Sequence, residues 1–330
     1  MGISRFHKTC RAVLLAGSHA PEKTAVPATA APPPPVFAAV LHETAALRNE
    51  ANREAGRVGD RYRSAYWATY LLSSLAVALA LLPLGLRRAA GVAVVLEIAT
   101  ITAILAIFII GSRQRWHLRW LDARTRAEHL RHLPLVALSE RIATLGARGP
   151  RSSRLSPTAD DEAQAAARRA TEGIAALSDD GLRGMLQDGS FRRWFAGRLS
   201  EQIDYHRRRA RDEHLLRHRI HRIALGCFVL TAIAVLAHLV VHSDWLSILA
   251  AFLPSFAAAL AGIAAHSESE RLEVDSLKMV DRLEALSRDI DALGADPEAT
   301  VQVVDRCLDA LLSELEDWNA YARQKVLTLA

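Results

Sequence analysis

Along the chain, long apolar runs alternate with arginine-rich stretches of helical character. Residues 65–85 read AYWATYLLSSLAVALALLPLG and residues 89–111 read AAGVAVVLEIATITAILAIFIIG, separated only by Leu86-Arg87-Arg88. Each run holds the roughly 20 residues that a helix rising about 1.5 Å per residue needs to cross about 30 Å of hydrocarbon. Lipid offers the backbone no hydrogen-bond partner, so an isolated run of this kind is predicted to be helical. The three-residue turn makes the two helices antiparallel. A second hairpin follows at 223–241 and 246–265, joined by His242-Ser243-Asp244-Trp245. Runs this long and almost free of charge are rarely buried in water-soluble domains of this size. The pattern therefore predicts an all-α integral membrane protein with four transmembrane helices in two hairpins. The duplication is architectural, without a residue-by-residue repeat.

The polar stretches order the rest of the chain. Residues 1–35 read as a Pro-rich, disordered segment. Arg5, Lys8 and Arg11 precede the apolar patch Ala12–Ala16 in the order of a signal peptide, but the patch is shorter than the usual 7–15 residues. Pro21–Pro35 is a polyproline-like spacer. Residues 36–145 form the first helical unit. A helix from Val36 runs towards the bilayer, with Gly56 and Gly59 weakening its middle. Tyr62, Tyr66, Trp67 and Tyr70 gather where it meets lipid, as interfacial aromatic rings do. Arg113, Arg115, Trp116 and Trp120 stand at the exit of the hairpin, ahead of an amphipathic helix interrupted or kinked at Pro134. Residues 146–190 read as a linker, Gly146–Pro157, with a small helical insert. Residues 191–293 form the second unit, entered through a basic helix that includes Arg219 and Arg222, with Trp245 at its outer turn. Leu272, Ser276, Met279, Leu283, Leu286, Ile290 and Leu293 then alternate at spacings of four and three. After a turn with Asp296 as N-cap and Pro297 at the first helical position, residues 294–330 continue the heptad pattern. The two helices predict an antiparallel coiled-coil hairpin or a self-assembly surface.

Charge adds orientation. The net charge of +5 comes almost wholly from arginine, and 23 arginines lie between the hairpins. Basic residues flanking apolar helices stay on the cytoplasmic side. Both termini and the central segment are therefore expected there, with Arg87-Arg88 outweighed at the outer turn. Cys10, Cys227 and Cys307 lack a C-x-x-C spacing, so neither a disulfide framework nor a thiolate metal site is implied.

Candidate chemistry is sparse. Glu97 is the one charged residue in its run, and a carboxylate inside a membrane helix usually faces a bundle interior or an aqueous path. Thr100, Ile101, Ile104 and Phe108 follow at helical spacing, so this stripe could line or gate a pore. A protonated Glu97 bonded to a neighbouring helix, or one snorkelling to the outer face, is the alternative. His214, His218 and His221 share a helical face and could bind zinc, but crowding arginines favour a solvated or headgroup-facing surface. The arginine run beside the membrane points to anionic lipid rather than nucleic acid. No phosphate loop, dinucleotide fingerprint, nucleophile elbow or H-E-x-x-H occurs. No enzyme, cofactor or metal is expected.

A cytoplasmic helix, two membrane helices with a minimal turn, then a long amphipathic helix resembles the SLATT superfamily. These are two-transmembrane effector domains of bacterial conflict systems. The carrying residues are Tyr62 and Trp67, then Trp116, Trp120, Arg124, Ala127, Glu128 and Arg131. In the second half they are Tyr205 and His206, then Glu270, Arg271, Leu272 and Met279. The resemblance covers roughly 41–145 and 191–293. It implies an oligomeric pore in the bacterial inner membrane, triggered by a nucleotide-sensing partner or a fused sensor domain. The expected function is thus a pore- or channel-forming effector that self-associates, holds anionic headgroups and answers to a sensor or regulatory protein. A non-catalytic scaffold that recruits a partner through its coiled-coil helices is the rival.

Overall fold

The computed structural model describes residues 5–16, 32–145, 168–169, 172–174, 176, 178–292 and 297–323. Most of the proline-rich spacer, the linker Gly146–Pro157, most of residues 158–177 of the helical insert and the turn at 293–296 lie outside them. Every regular element among the described residues is helical. The helices are α1 (Phe6–Leu15), α2 (Pro35–Gly85), α3 (Ala90–Arg113), α4 (Trp116–Leu145), α5 (Asp179–Gln187), α6 (Ser190–Val240), α7 (Asp244–Ser267), α8 (Ser269–Ala292) and α9 (Pro297–Arg323).

Two units with one plan emerge. Each opens on a 51-residue helix, α2 or α6, whose C-terminal part is one apolar run. A 24-residue helix, α3 or α7, returns antiparallel. Each return helix passes into the next, α4 or α8, through a single residue in left-handed conformation: Arg115 (φ 48°) in the first unit and Glu268 (φ 55°) in the second. The inward faces of α4 and α8 also keep register. Ala123, Ala127, Leu130, Leu133 and Ala137 are buried, and so are Ser276, Val280, Leu283, Leu286 and Ile290, each 153 residues later. The repeat missing from residue identities is present in the burial pattern.

Four helices are long and apolar enough to cross a membrane, and they contain the four runs read from the sequence except Val241, which ends the third as its C-cap. Packing runs α3 on α2, α2 on α7 and α7 on α6, which lays the spanning segments out as a row. Apolar side chains on the two end helices point outward, among them Ile98 and Leu105 on α3 and Val229 and Leu236 on α6. Inside the row, α2 and α7 touch closely. A Cβ placed on Gly262 would come within 2.3 Å of the Tyr70 ring, so only glycine fits this crossing.

The remaining helices gather at the end of the row away from the two short turns. Their shared core includes Phe37, Leu138, Phe191, Phe195, Leu283 and Leu308, with the Phe37 and Trp194 rings 4.8 Å apart. α5 starts at Ser178, whose hydroxyl accepts from the Gly181 N–H at 3.1 Å, and it buries Leu182, Met185 and Leu186 in the same core. α4 passes through Pro134 as one helix, because Leu133, Val136 and Ala137 beside it are all buried and hold it in place. The apolar stripes of α8 and α9 both face inward, yet α9 does more than pair with α8. It also lies along α4. Arg306 reaches Asp289 on α8 at 2.7 Å, and Arg323 reaches Asp122 on α4 at 2.6 Å. The last helix thus fastens the two units together.

Candidate functional site

Glu97 sits half-buried on α3 between Ala93 and Thr100, both buried. With Ile107 and Gly111 these residues form the face of α3 that is withdrawn from the outer surface. Thr100 donates to the Leu96 carbonyl at 2.7 Å, the back-bond that lets a hydroxyl sit in apolar surroundings. Ile104 and Phe108 are half-buried along the same side. Ile101 departs from the stripe, being 44% exposed on the outer face. Position i+4 from Glu97 keeps the helical face, but a 100° step from Thr100 carries Ile101 past its edge. No side chain among the described residues bonds to the half-buried Glu97 carboxylate, and the Ser74 hydroxyl on neighbouring α2 is buried and also unpartnered among them.

Where the helices leave the membrane run, an aromatic knot joins the two units. The Tyr62 hydroxyl and His266 Nε2 share a hydrogen bond of 2.9 Å. The His266 ring lies 4.4 Å from Tyr66, and Trp120 stacks on Tyr62 at 5.4 Å. Burial pushes the Tyr62 phenol far above its ordinary value, so it is a neutral hydrogen-bonding group. Gly59 is what admits Trp120, since a Cβ there would come within 2.7 Å of the indole. Trp318 of α9 meets Trp120 edge-on at 5.4 Å, with the Arg124 guanidinium 4.9 Å from its centre.

This corrects part of the interfacial reading. Tyr62, Tyr66 and Trp67 are buried, at 5%, 5% and 3% exposure, because α7 and α4 cover the side of α2 that carries them. Trp120 is turned into the same knot. Arg219 is engaged with protein: it donates to the Leu14 carbonyl and, at 2.9 Å, to that of Ala16, capping α1. Arg113, Arg115 and Arg222 are exposed at the membrane exits. Trp116 is half-buried and donates to Gln114 at 2.8 Å, and Trp245 at the opposite end is 48% exposed.

The first helix is the element that sequence reasoning missed. α1 lies across both units: Lys8 pairs with Asp60 on α2 at 2.6 Å, and Arg11 with buried Glu213 on α6 at 2.8 Å. His7 is buried against the Ser64 hydroxyl at 3.1 Å, and burial, followed by the Arg63 charge, lowers it to about 4. The signal available was the spacing of Lys8 and Arg11, one helical turn apart on a single face. The three histidines of α6 do not converge on a centre. His214 pairs with Glu273 at 2.8 Å and stacks edge-on against His218. Among the described residues no group of three or more ligating side chains is placed to hold a metal ion.

With this geometry in place, residues 194–318 match the family model of the SMODS and SLOG-associating 2TM effector domain 1. The match covers α6 from Trp194, the whole second hairpin, α8 and α9 as far as Trp318, so the resemblance read from the sequence holds for the second unit. No curated protein and no solved structure matches the chain.

Proposed function

We propose, from the two-transmembrane effector domain that residues 194–318 match, that this protein is a pore- or channel-forming membrane effector which self-associates through its hairpins. The match carries the reading. Support comes from the row of spanning helices, whose end helices offer long apolar flanks to lipid or to further copies. In this reading the bundled end of the molecule is cytoplasmic, as the arginines of the segment between the hairpins require. Arg113, Arg115 and Arg222 hold anionic headgroups of a bacterial inner membrane, and a regulatory protein supplies the trigger. Glu97 is the conduit's charged group. Thr100, Ile104 and Phe108 share its side of α3, while Ile101 faces away from it. No catalytic step and no cofactor enter.

The test is the membrane potential on induced expression in bacteria, read with a potential-sensitive dye. Depolarisation that Glu97→Gln alters at equal protein level is expected. A depolarisation by wild-type protein that Glu97→Gln leaves unchanged at equal protein level would take Glu97 out of the conduit, and a potential untouched by wild-type protein would favour the scaffold. The rival, a non-conducting scaffold, draws on Val274 and Leu277, which are 43% and 49% exposed on α8 and could seat a partner helix. It predicts that Glu97→Gln changes nothing.

A further inference from the structure

On the side of the molecule away from the short turns, α2, α4 and α6 border an open cleft of about 800 Å3. Six arginines and two glutamates line it. Both acids are already engaged, Glu128 with Arg131 at 3.0 Å and Glu201 with Arg198. Arg48 and Arg208 have no acidic partner among the described residues. Arg48 from α2, Arg131 from α4 and Arg198 from α6 also line an adjoining cavity of about 270 Å3 together with Gln202. Three guanidinium groups from three helices therefore meet where the two spaces join. Burial, and then the charges of Arg198 and Arg131, lower the Arg48 guanidinium below its ordinary value.

Arg131 and Arg198 each have a glutamate partner, but Arg48 has none, and its half-buried charge beside theirs is uncompensated until a further anion joins them. The guanidinium fork matches the oxygens of a phosphoryl group, and several forks converging from different directions suit a multiply charged one. The volume lies in the range of small-molecule sites, far above what a single phosphate fills. Asn49 and Asn52 add neutral amides, and the Tyr205 ring stands 41% exposed at the rim.

Arg63 and Trp120 carry the cleft down to the membrane exit, and it is the position of its three-arginine end that separates a soluble ligand from a lipid headgroup. Arg48 precedes Ala65, where the apolar run begins, by 17 residues, about 25 Å of helix. Arg198 precedes Ile223 by 25 residues, about 38 Å. The headgroup layer is only about 5–8 Å thick on each side. We propose that this cleft binds a soluble, multiply phosphorylated small molecule of nucleotide size, clasped by Arg48, Arg131 and Arg198. Such a ligand ties α2 and α4 of the first unit to α6 of the second. Since α2 and α6 continue unbroken into the membrane runs, its occupancy bears directly on the hairpins.

The test uses the full chain in nanodiscs of neutral phosphatidylcholine, titrated calorimetrically with inorganic tripolyphosphate and with ATP as probes. Binding in the micromolar range that weakens as salt rises is expected. Arg48→Met and Arg198→Met, which keep the aliphatic stem, should each weaken it at least about tenfold, with exposed Arg288→Met as the unchanged control. Arg48→Met should also raise the thermal midpoint of the ligand-free protein, because it relieves repulsion; an arginine with a purely structural role would lower it. Failure of both probes to bind would overturn the proposal, as would equal binding by wild type and Arg48→Met. Loss of tripolyphosphate binding when phosphatidylglycerol replaces the neutral lipid would assign the cleft to a headgroup instead.

Discussion

Three buried imidazoles set how the folded protein responds to acid. His7, His132 and His206 are 5%, 8% and 5% exposed, and burial foremost lowers each to about 4 from an ordinary 6.5. Nearby guanidinium groups add to the effect, from Arg63 at His7, Arg131 at His132 and Arg209 at His206, while Asp60 and Glu128 oppose it. A folded-state value below the unfolded one means that the unfolded chain takes up more protons between about pH 6.5 and 4. Stability is therefore complete above the unfolded value and is lost as pH falls through this window. Each histidine accounts for about 2 kcal/mol of loss at pH 5. Thermal unfolding of the detergent-solubilised protein should show a clear drop in midpoint from pH 7 to pH 5, and His132→Asn or His206→Asn should flatten it. A midpoint constant across that range would mean these rings are not held neutral by burial. None of this was legible in the sequence, because a histidine among arginines reads as solvated unless the helices covering it are known. The same blindness affected Tyr62, Tyr66 and Trp67. An aromatic stripe at a membrane exit satisfies a headgroup layer and an interhelical seam equally well, and only α7, some 200 residues later, decides between them.

At the scale of elements, the reading fared best where physics leaves one option. The apolar runs had to be helices, and the four spanning segments fall where they were expected. α8 and α9 were legible as helices from their three-and-four spacing, but their partner was not, since the stripe of α9 fits α4 as well as α8. The joints after the return helices left no composition signal, because neither carries the glycine that a left-handed residue normally prefers. Arg115 is the clearer case, exposed and at φ 48°. Its conformation costs a non-glycine residue about 1 kcal/mol. Arg115→Gly should leave the chemical-denaturation midpoint unchanged or raise it by up to that amount. Arg115→Val, a β-branched residue intolerant of positive φ, should lower it by more. Equal stabilities for the two variants would show that the joint does not hold the left-handed turn.

On the scale of the molecule, the two units are joined by surfaces rather than by a shared sheet or linker. α2 packs along α7 in the membrane rows. α9 closes over α4 through Trp318 on Trp120 and the Arg323–Asp122 pair. α1 adds its bridge from Asp60 to Glu213. These contacts unite residues from both sides of the linker read at Gly146–Pro157, and nothing in them depends on chain continuity there. Two consequences follow from that geometry. The effector-domain match covers the second unit and most of α9 and includes no residue of the first unit, so the first unit stands beside it as a structurally parallel partner, covering the side of α7 that would otherwise meet lipid or another copy. Breaking the chain at residue 150 should also leave the assembly intact. Co-expressed fragments 1–150 and 151–330, with a tag on one, should purify together from membranes and unfold in a single transition within a few degrees of the unbroken chain. Gly262→Leu in the second fragment should weaken that association, because its side chain would enter the Tyr70 ring across the α2–α7 crossing. Fragments that part during purification would mean that covalent connection, and not the α2–α7 and α4–α9 surfaces, holds the two hairpins in register.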